Sequence, residues 1–166
     1  MSTQTITAQY LGMPIQIDHL DHENSAYFKH CADHAFHLQS CEACALLRYP
    51  PTTACPWCAW PKSRWLAVEG KGAVHSYTEV HQAIQPAFKA ATPYLVLLVD
   101  LDTQNGKPSE HEALRVVGNL ATPDGKRVHT YDYKEGGCRQ VKRCEVTANL
   151  GWAMPGTGSA MVMRRG

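Results

Sequence analysis

The sequence predicts a mainly β protein: a helix near the N-terminus, a cysteine-rich metal ribbon, then a small β barrel. Three observations predict it. Two Cys-x-x-Cys pairs, Cys41/Cys44 and Cys55/Cys58, are separated by ten residues in a stretch dense in proline. Downstream, short β-branched or alternating runs recur between Gly, Pro, Asn and Asp breaks. Upstream, one segment repeats apolar residues at helical spacing. A chain of 166 residues with 44% hydrophobic residues is enough for one domain or two small modules, and excludes wholesale disorder.

Residues 1–22 are polar with scattered Ile and Leu and show no firm periodicity. The start, Met1-Ser2-Thr3-Gln4-Thr5, has neither the basic nor the apolar region of a signal peptide. The longest apolar run, Tyr94–Val99, is too short to cross a bilayer. The expectation is therefore a cytoplasmic protein with reduced cysteines. Residues 23–38 read as a helix capped by Asn24 or Ser25, with Tyr27, Phe28, Cys31, Ala32, Ala35 and Leu38 on its apolar stripe. Over 39–69, Pro50, Pro51, Pro56 and Pro61 exclude a long helix and leave short turns around the cysteines.

Residues 70–149 carry the strands: Ala73–Val80, Tyr94–Asp102, Leu114–Ala121, Val128–Tyr133 and a weaker Arg143–Asn149. Turns are expected at Asn105-Gly106 and Thr122-Pro123-Asp124-Gly125. In the first strand, simple alternation puts Val74, Ser76, Thr78 and Val80 on one face. It puts His75, Tyr77, Glu79 and His81 on the other. Short, closely spaced strands suggest a small barrel rather than a parallel sheet. From Leu150 the chain is rich in Gly and small residues and reads as a tail.

The cysteines carry the sharpest chemical signal. A two-residue gap lets both sulfurs of a pair converge on one ion, and two such knuckles supply four thiolates in tetrahedral array. Soft sulfur ligands favour zinc over magnesium or calcium. With all four positions filled by Cys41, Cys44, Cys55 and Cys58, no coordination site is left for substrate, so one structural Zn²⁺ is expected. Three other readings compete. Cys55-Pro56-Trp57-Cys58 has dithiol redox spacing, but that motif should open a helix after a strand. Iron–sulfur clusters use four Cys at other spacings. Unliganded buried thiols are the plain alternative. Cys31, Cys138 and Cys144 read as ordinary, partly buried thiols.

Other clusters are weaker. His30, His34 and His37 are three or four residues apart, which admits a metal site; without a carboxylate at metal spacing, a polar or contact face is the preferred reading. The face of His75, Tyr77, Glu79 and His81 suits acid–base work, but such faces are more often solvated or in contact with a partner. Gly70-Lys71-Gly72 is followed by no helix, so it reads as a flexible joint rather than a phosphate loop. Lys62, Arg64 and Lys71 lie near Trp60 and Trp65 and suit either nucleotide-like phosphates or plain exposed charge. No Ser-His-Asp arrangement, dinucleotide fingerprint or Walker motif is found.

The motifs in combination resemble one family. These are Cys41-x-x-Cys44-x-x-x-Arg48-Tyr49-Pro50-Pro51, Cys55-Pro56-x-Cys58, Trp65, and Gly70-x-Gly72-x-Val74-x-Ser76-Tyr77-Thr78. The match continues through Pro93–Val96, Val99–Asp102 and Arg115–Leu120. Glu23-Asn24-x-x-Tyr27-Phe28 precedes it and Arg143–Val146 follows. The combination resembles the acyl-CoA-associated zinc-ribbon/OB-fold family over about residues 20–150. The resemblance implies an N-terminal segment with a helix (1–38), a rubredoxin-like zinc ribbon (39–69), a five-stranded OB-fold barrel (70–149) and a tail (150–166). It also implies a non-catalytic small subunit that assembles with a thiolase-fold enzyme of acyl-CoA degradation, where thiolysis, retro-aldol cleavage or acyl transfer is done by the partner. On that reading the subunit stabilises its partner and helps shape the CoA channel. A heterotetramer with two copies of each chain is the expected assembly. Lys62, Arg64 and Lys71 are then the expected CoA-phosphate contacts, and Tyr27, Phe28, Tyr77 and His81 the expected partner contacts.

The alternative is a single-stranded nucleic-acid-binding module, a role that ribbons and OB barrels also serve. Charge weighs against it: 16 Lys and Arg face 15 Asp and Glu, and residues 71–150 hold ten against nine. A self-sufficient hydrolase or redox enzyme ranks last, because no nucleophile–base pair is identifiable.

Overall fold

The computed structural model describes residues 6–10, 13–18, 20–33, 35–120, 145–151 and 160–165. The first strands form a hairpin where no firm periodicity is expected. β1 (Ile6–Tyr10) runs antiparallel to β2 (Met13–Ile17), with Ile6 opposite Ile17. Ile6, Ala8 and Tyr10 alternate with Thr7 and Gln9, and Met13, Ile15 and Ile17 with Pro14 and Gln16, a period of two that corrects the expectation of none.

Helix α1 (His22–Ala32) is capped by Asp21, whose carboxylate accepts the Asn24 N–H at 3.1 Å; the cap is thus neither Asn24 nor Ser25. It buries Tyr27 and Cys31, one turn apart. The helix ends at Ala32, short of the expected Leu38. Phe36 and Leu38 are indeed buried, but from extended chain entering β3 (His37–Cys41). That strand pairs with β5 (Ser63–Ala67), from His37 opposite Ala67 to Cys41 opposite Ser63. Pairing with a distant segment overrides the local helical period. On its other edge lies β4 (Leu47–Arg48), completing the ribbon sheet in the order β4-β3-β5.

The barrel sheet contains β6 (Lys71–Val80), β7 (Tyr94–Leu101), β8 (Arg115–Asn119), β9 (Glu145–Gly151) and β10 (Ala160–Arg165). Their order is β10-β9-β6-β7-β8, antiparallel throughout. Edge strands β10 and β8 approach each other, so the sheet curls toward closure. The fifth strand thus comes from the segment read as a tail. The expected strand Val128–Tyr133, with Cys138 and Cys144, lies outside the described residues. In β7 every second residue is buried: Leu95, Leu97, Val99 and Leu101 are at most 1% exposed. Each such side chain contributes about 2 kcal/mol. Central strand β6 crosses β7 so closely at Gly72 that a Cβ there would collide with the Asp100 carbonyl oxygen.

A bulge between Val74 and Ser76 breaks the simple alternation of β6. Val74 is opposite Val99, but Tyr77 is opposite Leu97 and Glu79 opposite Leu95, so both cross to the face of Val74. The expected face of four is therefore split. His75 stays opposite that side and bonds Asp100 through Nδ1 at 3.0 Å, while Arg115 Nε donates to the same carboxylate at 2.8 Å.

One core joins helix, ribbon and barrel: Tyr27, Phe36, Leu38 and Leu47 pack in the same cluster as Val74, Leu95 and Val116. A polar clamp reinforces the join. Gln104 follows β7 in a single 3₁₀ turn (Asp102–Gln104); its amide accepts from the Leu47 N–H at 2.6 Å and donates to the Leu47 carbonyl at 3.0 Å. The side chain therefore imitates a neighbouring strand for β4. Gln104→Ala should cost about 2 kcal/mol or more by leaving both Leu47 groups buried without partners. Urea unfolding checks this, and a loss below about 0.5 kcal/mol contradicts the clamp.

Helix and ribbon meet through stacked histidines. His30 on α1 lies over His37 on β3 with ring centroids 4.2 Å apart, and Trp65 of β5 is 5.2 Å from His30. The helical face expected of His30, His34 and His37 is therefore not formed, because α1 ends at Ala32 and His37 lies on β3; His34 lies outside the described residues. Burial, then His37, lower the proton affinity of His30; Asp33 opposes this and Lys29 adds to it. The native state therefore binds fewer protons than an unfolded chain whose His titrates near 6.5. The stability from neutral His30 is complete above that pH and falls as pH drops through it. Melts between about pH 8 and about pH 5 should show this decline in the wild type and a shallower one in His30→Phe. Equal slopes would remove His30 from the explanation.

Candidate metal centre

Two turns of the same design bring the cysteines together. Cys41 ends β3, and the chain reverses so that Ala45 N–H reaches the Cys41 carbonyl at 3.0 Å and Cys41 N–H reaches Leu46 at 3.0 Å. The second turn repeats this: Ala59 N–H meets the Cys55 carbonyl at 2.9 Å, and Cys55 N–H meets Trp60 at 2.9 Å. Each requires a left-handed residue after its second cysteine, and Ala45 (φ 60°) and Ala59 (φ 59°) accept that conformation. Without glycine this costs about 1 kcal/mol each.

All four sulfurs lie within 4.8 Å of one another. The cross-turn pairs Cys41–Cys58 and Cys44–Cys55 are 3.5 and 3.6 Å apart. A disulfide would be about 2.05 Å. Four thiolates around a tetrahedral ion with metal–sulfur distances of about 2.3 Å would be about 3.8 Å apart. The cluster therefore suits a metal ion.

The electrostatics agree. The Cys44 N–H holds the Cys41 thiol below its usual range, against burial. Burial works against ionising Cys55, but the N–H groups of Cys58 and Trp57 bring it down to about 6. The Trp60 N–H favours ionised Cys58, yet burial and the sulfurs of Cys41, Cys55 and Cys44 push it up to about 12. Anions this close ionise together only around a cation.

The expected ligands Cys41, Cys44, Cys55 and Cys58 are thus assembled. The redox reading is disfavoured, since Cys55–Cys58 form a turn and open no helix. Cys31 is 4% exposed, with burial pushing its thiol up to about 11, as a core residue would be. The three basic residues are placed less favourably. Lys62 and Arg64 are exposed at and before β5, while Lys71 pairs with Glu69 at 3.0 Å. Lys71 lines an open cleft of about 400 Å³ with Ala67, Val68, Glu69, Asp102 and Thr103, whose carboxylates outnumber its ammonium.

Among the expected partner contacts, Tyr27 is turned inward: it is 7% exposed and packs edge-on against Tyr49. Phe28 is half-buried beside it, Tyr77 is 40% exposed, and His81 is exposed and paired with Glu79. Sequence reasoning missed the buried polar group behind the knuckles, made of Gln39, Arg48 and Thr52. Its one signal was a charged residue, Arg48, between Leu47 and Tyr49.

If the cluster holds a metal, Cys55→Ser should lower the melting temperature by about 10 °C or more, because metal-binding energy is folding energy here. Cys138→Ser, outside the constellation, should shift it by no more than about 2 °C. Equal shifts would count against a metal.

Comparison with known proteins places this geometry. Residues 65–130 match the family described as ChsH2, C-terminal OB-fold domain. A probable enoyl-CoA hydratase alpha subunit from Thermomonospora curvata is 35% identical over 103 residues, 61% of this chain and 28% of that protein. The chain thus spans little more than a quarter of that relative's length. Among solved structures, a chain of the "Ltp2-ChsH2(DUF35) aldolase" matches at 26% identity and a TM-score of 0.58, covering 86% of this chain and 94% of that one. The resemblance read from the motifs therefore stands: residues 65–130 match the model of the ChsH2 C-terminal OB-fold domain, and the chain is similar to a chain of the Ltp2-ChsH2(DUF35) aldolase.

Proposed function

We propose that this chain is a non-catalytic, zinc-binding subunit that assembles with a thiolase-fold enzyme acting on acyl-CoA thioesters. The observation that carries the reading is the likeness along 86% of the chain to a chain of a two-component aldolase. The closed thiolate cluster supports it: four protein ligands leave an ion no open position for substrate, as in structural zinc sites. The subunit stabilises its partner, lies near the CoA channel, and leaves carbon–carbon cleavage to the partner's residues. Phe28, Tyr77 and His81 are offered as partner contacts, and Lys62, Arg64 and Lys71 as contacts for CoA phosphate. Half-exposed Trp57 and Trp60 on the second knuckle suit protein contact as well. The assembly is proposed to be a cytoplasmic heterotetramer. Among the described residues no helix is long and apolar enough to cross a membrane.

A second reading has its own support: the Thermomonospora curvata relative bears a hydratase name, so the partner chemistry is then enoyl-CoA hydration. Co-expression separates the two. With a thiolase-fold protein, the chain should elute in a complex by size exclusion and support thiolysis or retro-aldol cleavage that neither chain shows alone. Complex formation only with a hydratase favours the second reading. A chain that ignores both, yet binds single-stranded nucleic acid with affinity falling about tenfold or more from about 50 to about 200 mM salt, overturns the proposal.

A further inference from the structure

Arg48 is a buried cation that forms no ion pair among the described residues. It is 2% exposed. Its Nε donates to the Gln39 side-chain oxygen at 2.9 Å and its Nη2 to the Thr52 carbonyl at 2.9 Å; both acceptors are neutral. Its Nη1 is buried with no hydrogen-bond partner. The ion pairs of the described residues do not include it. An unpaired buried charge is among the most costly features a fold can carry, so an anionic group near it is to be expected.

The ribbon indicates which anion. Arg48 on β4 is directly opposite Gln39 on β3. Gln39 and Cys41 are two residues apart on the same strand, so their side chains leave the same face, and Arg48 shares it. Its second acceptor, Thr52, lies three residues before Cys55, and Thr52 N–H also bonds Gln39 at 2.8 Å. The guanidinium thus sits between the segments that lead into both knuckles. Four thiolates around one divalent ion carry a net charge of −2, and no Lys or His is among the ligands.

We propose that Arg48 is the buried counter-charge of the tetrathiolate metal centre, so that metal binding and burial of the guanidinium stabilise each other. The inference rests on the zinc reading above. Arg48 acts through the metal's ligands and is a positioning and electrostatic residue, not a catalytic one. In the loaded chain the buried guanidinium offsets half of the centre's excess negative charge.

The test is a metal-affinity series on the full chain: wild type, Arg48→Gln and Arg48→Lys, with zinc competed by a chromophoric chelator. Cobalt–thiolate absorbance reports the ligand set and circular dichroism the fold. Arg48→Gln should raise the zinc Kd about tenfold or more while the cobalt spectrum remains that of four thiolates. Arg48→Lys keeps the charge but loses the fork of hydrogen bonds, so its Kd should stay within about threefold of wild type even if it melts lower. By reciprocity, Arg48→Gln should destabilise the zinc-loaded chain more than the metal-free chain. Equal weakening by Lys and Gln, or no weakening by Gln, would assign Arg48 to hydrogen bonding alone and overturn the proposal. Should Arg48→Gln not fold, the lysine variant decides: a tenfold loss there is the overturning result. A wild-type chain that takes up no metal removes both this proposal and the zinc reading, whereas one metal per chain with Arg48 variants at wild-type affinity removes only this one.

Discussion

Four sulfurs held within 4.8 Å are the constraint on which the ribbon depends. Two short turns build that cluster from backbone hydrogen bonds alone, and each accepts an alanine in the left-handed region to do so. Closing the cluster joins the end of β3 to the segment before β5. The same closure aligns His37–Cys41 with Ser63–Ala67. A proline-rich stretch with little apolar content of its own is thereby given a fixed shape, which is the usual task of a thiolate-bound ion in a small module.

The ribbon is not a separate bead. Leu38 and Leu47 enter the core that Leu95 and Val116 fill from the barrel, and Gln104 completes the hydrogen bonding of β4 from the far side. Helix α1 adds Tyr27 and Cys31 to that core and rests on the ribbon through His30 and His37. A disturbance at the cysteines is therefore felt in the barrel.

Polar groups inside this join are satisfied unevenly. The amide of Gln104 makes both of its bonds to Leu47, and Gln39 accepts from Arg48 and Thr52. Arg48 Nη1 and His37 Nδ1 are the buried atoms left without partners among the described residues. Both belong to the ribbon. The barrel interior, by contrast, is filled by aliphatic side chains along β7.

What the sequence determined by itself were the features encoded over a few neighbouring residues. The Cys-x-x-Cys spacing dictates two knuckles because two sulfurs on one tight turn can share an ion. The run Tyr94–Asp102 and the Asn105-Gly106 turn were legible because a dense run of leucine and β-branched residues and a left-handed glycine are local properties. Only the tertiary structure decided the rest. Leu38 reads as the end of a helix, and its pairing with Leu66 makes it a strand residue instead. The bulge after Val74 moves Tyr77 and Glu79 across the sheet, which no count of alternating residues anticipates. Ala160–Arg165 becomes a strand because β9 offers it an unpaired edge, though the composition around it reads as a tail. Arg48 and Gln104 look like surface residues until β4 pairs with β3 and its Leu47 bonds to Gln104. In each case the deciding partner is far away in sequence, and local propensities of a few tenths of a kcal/mol yield to the burial and backbone pairing it supplies.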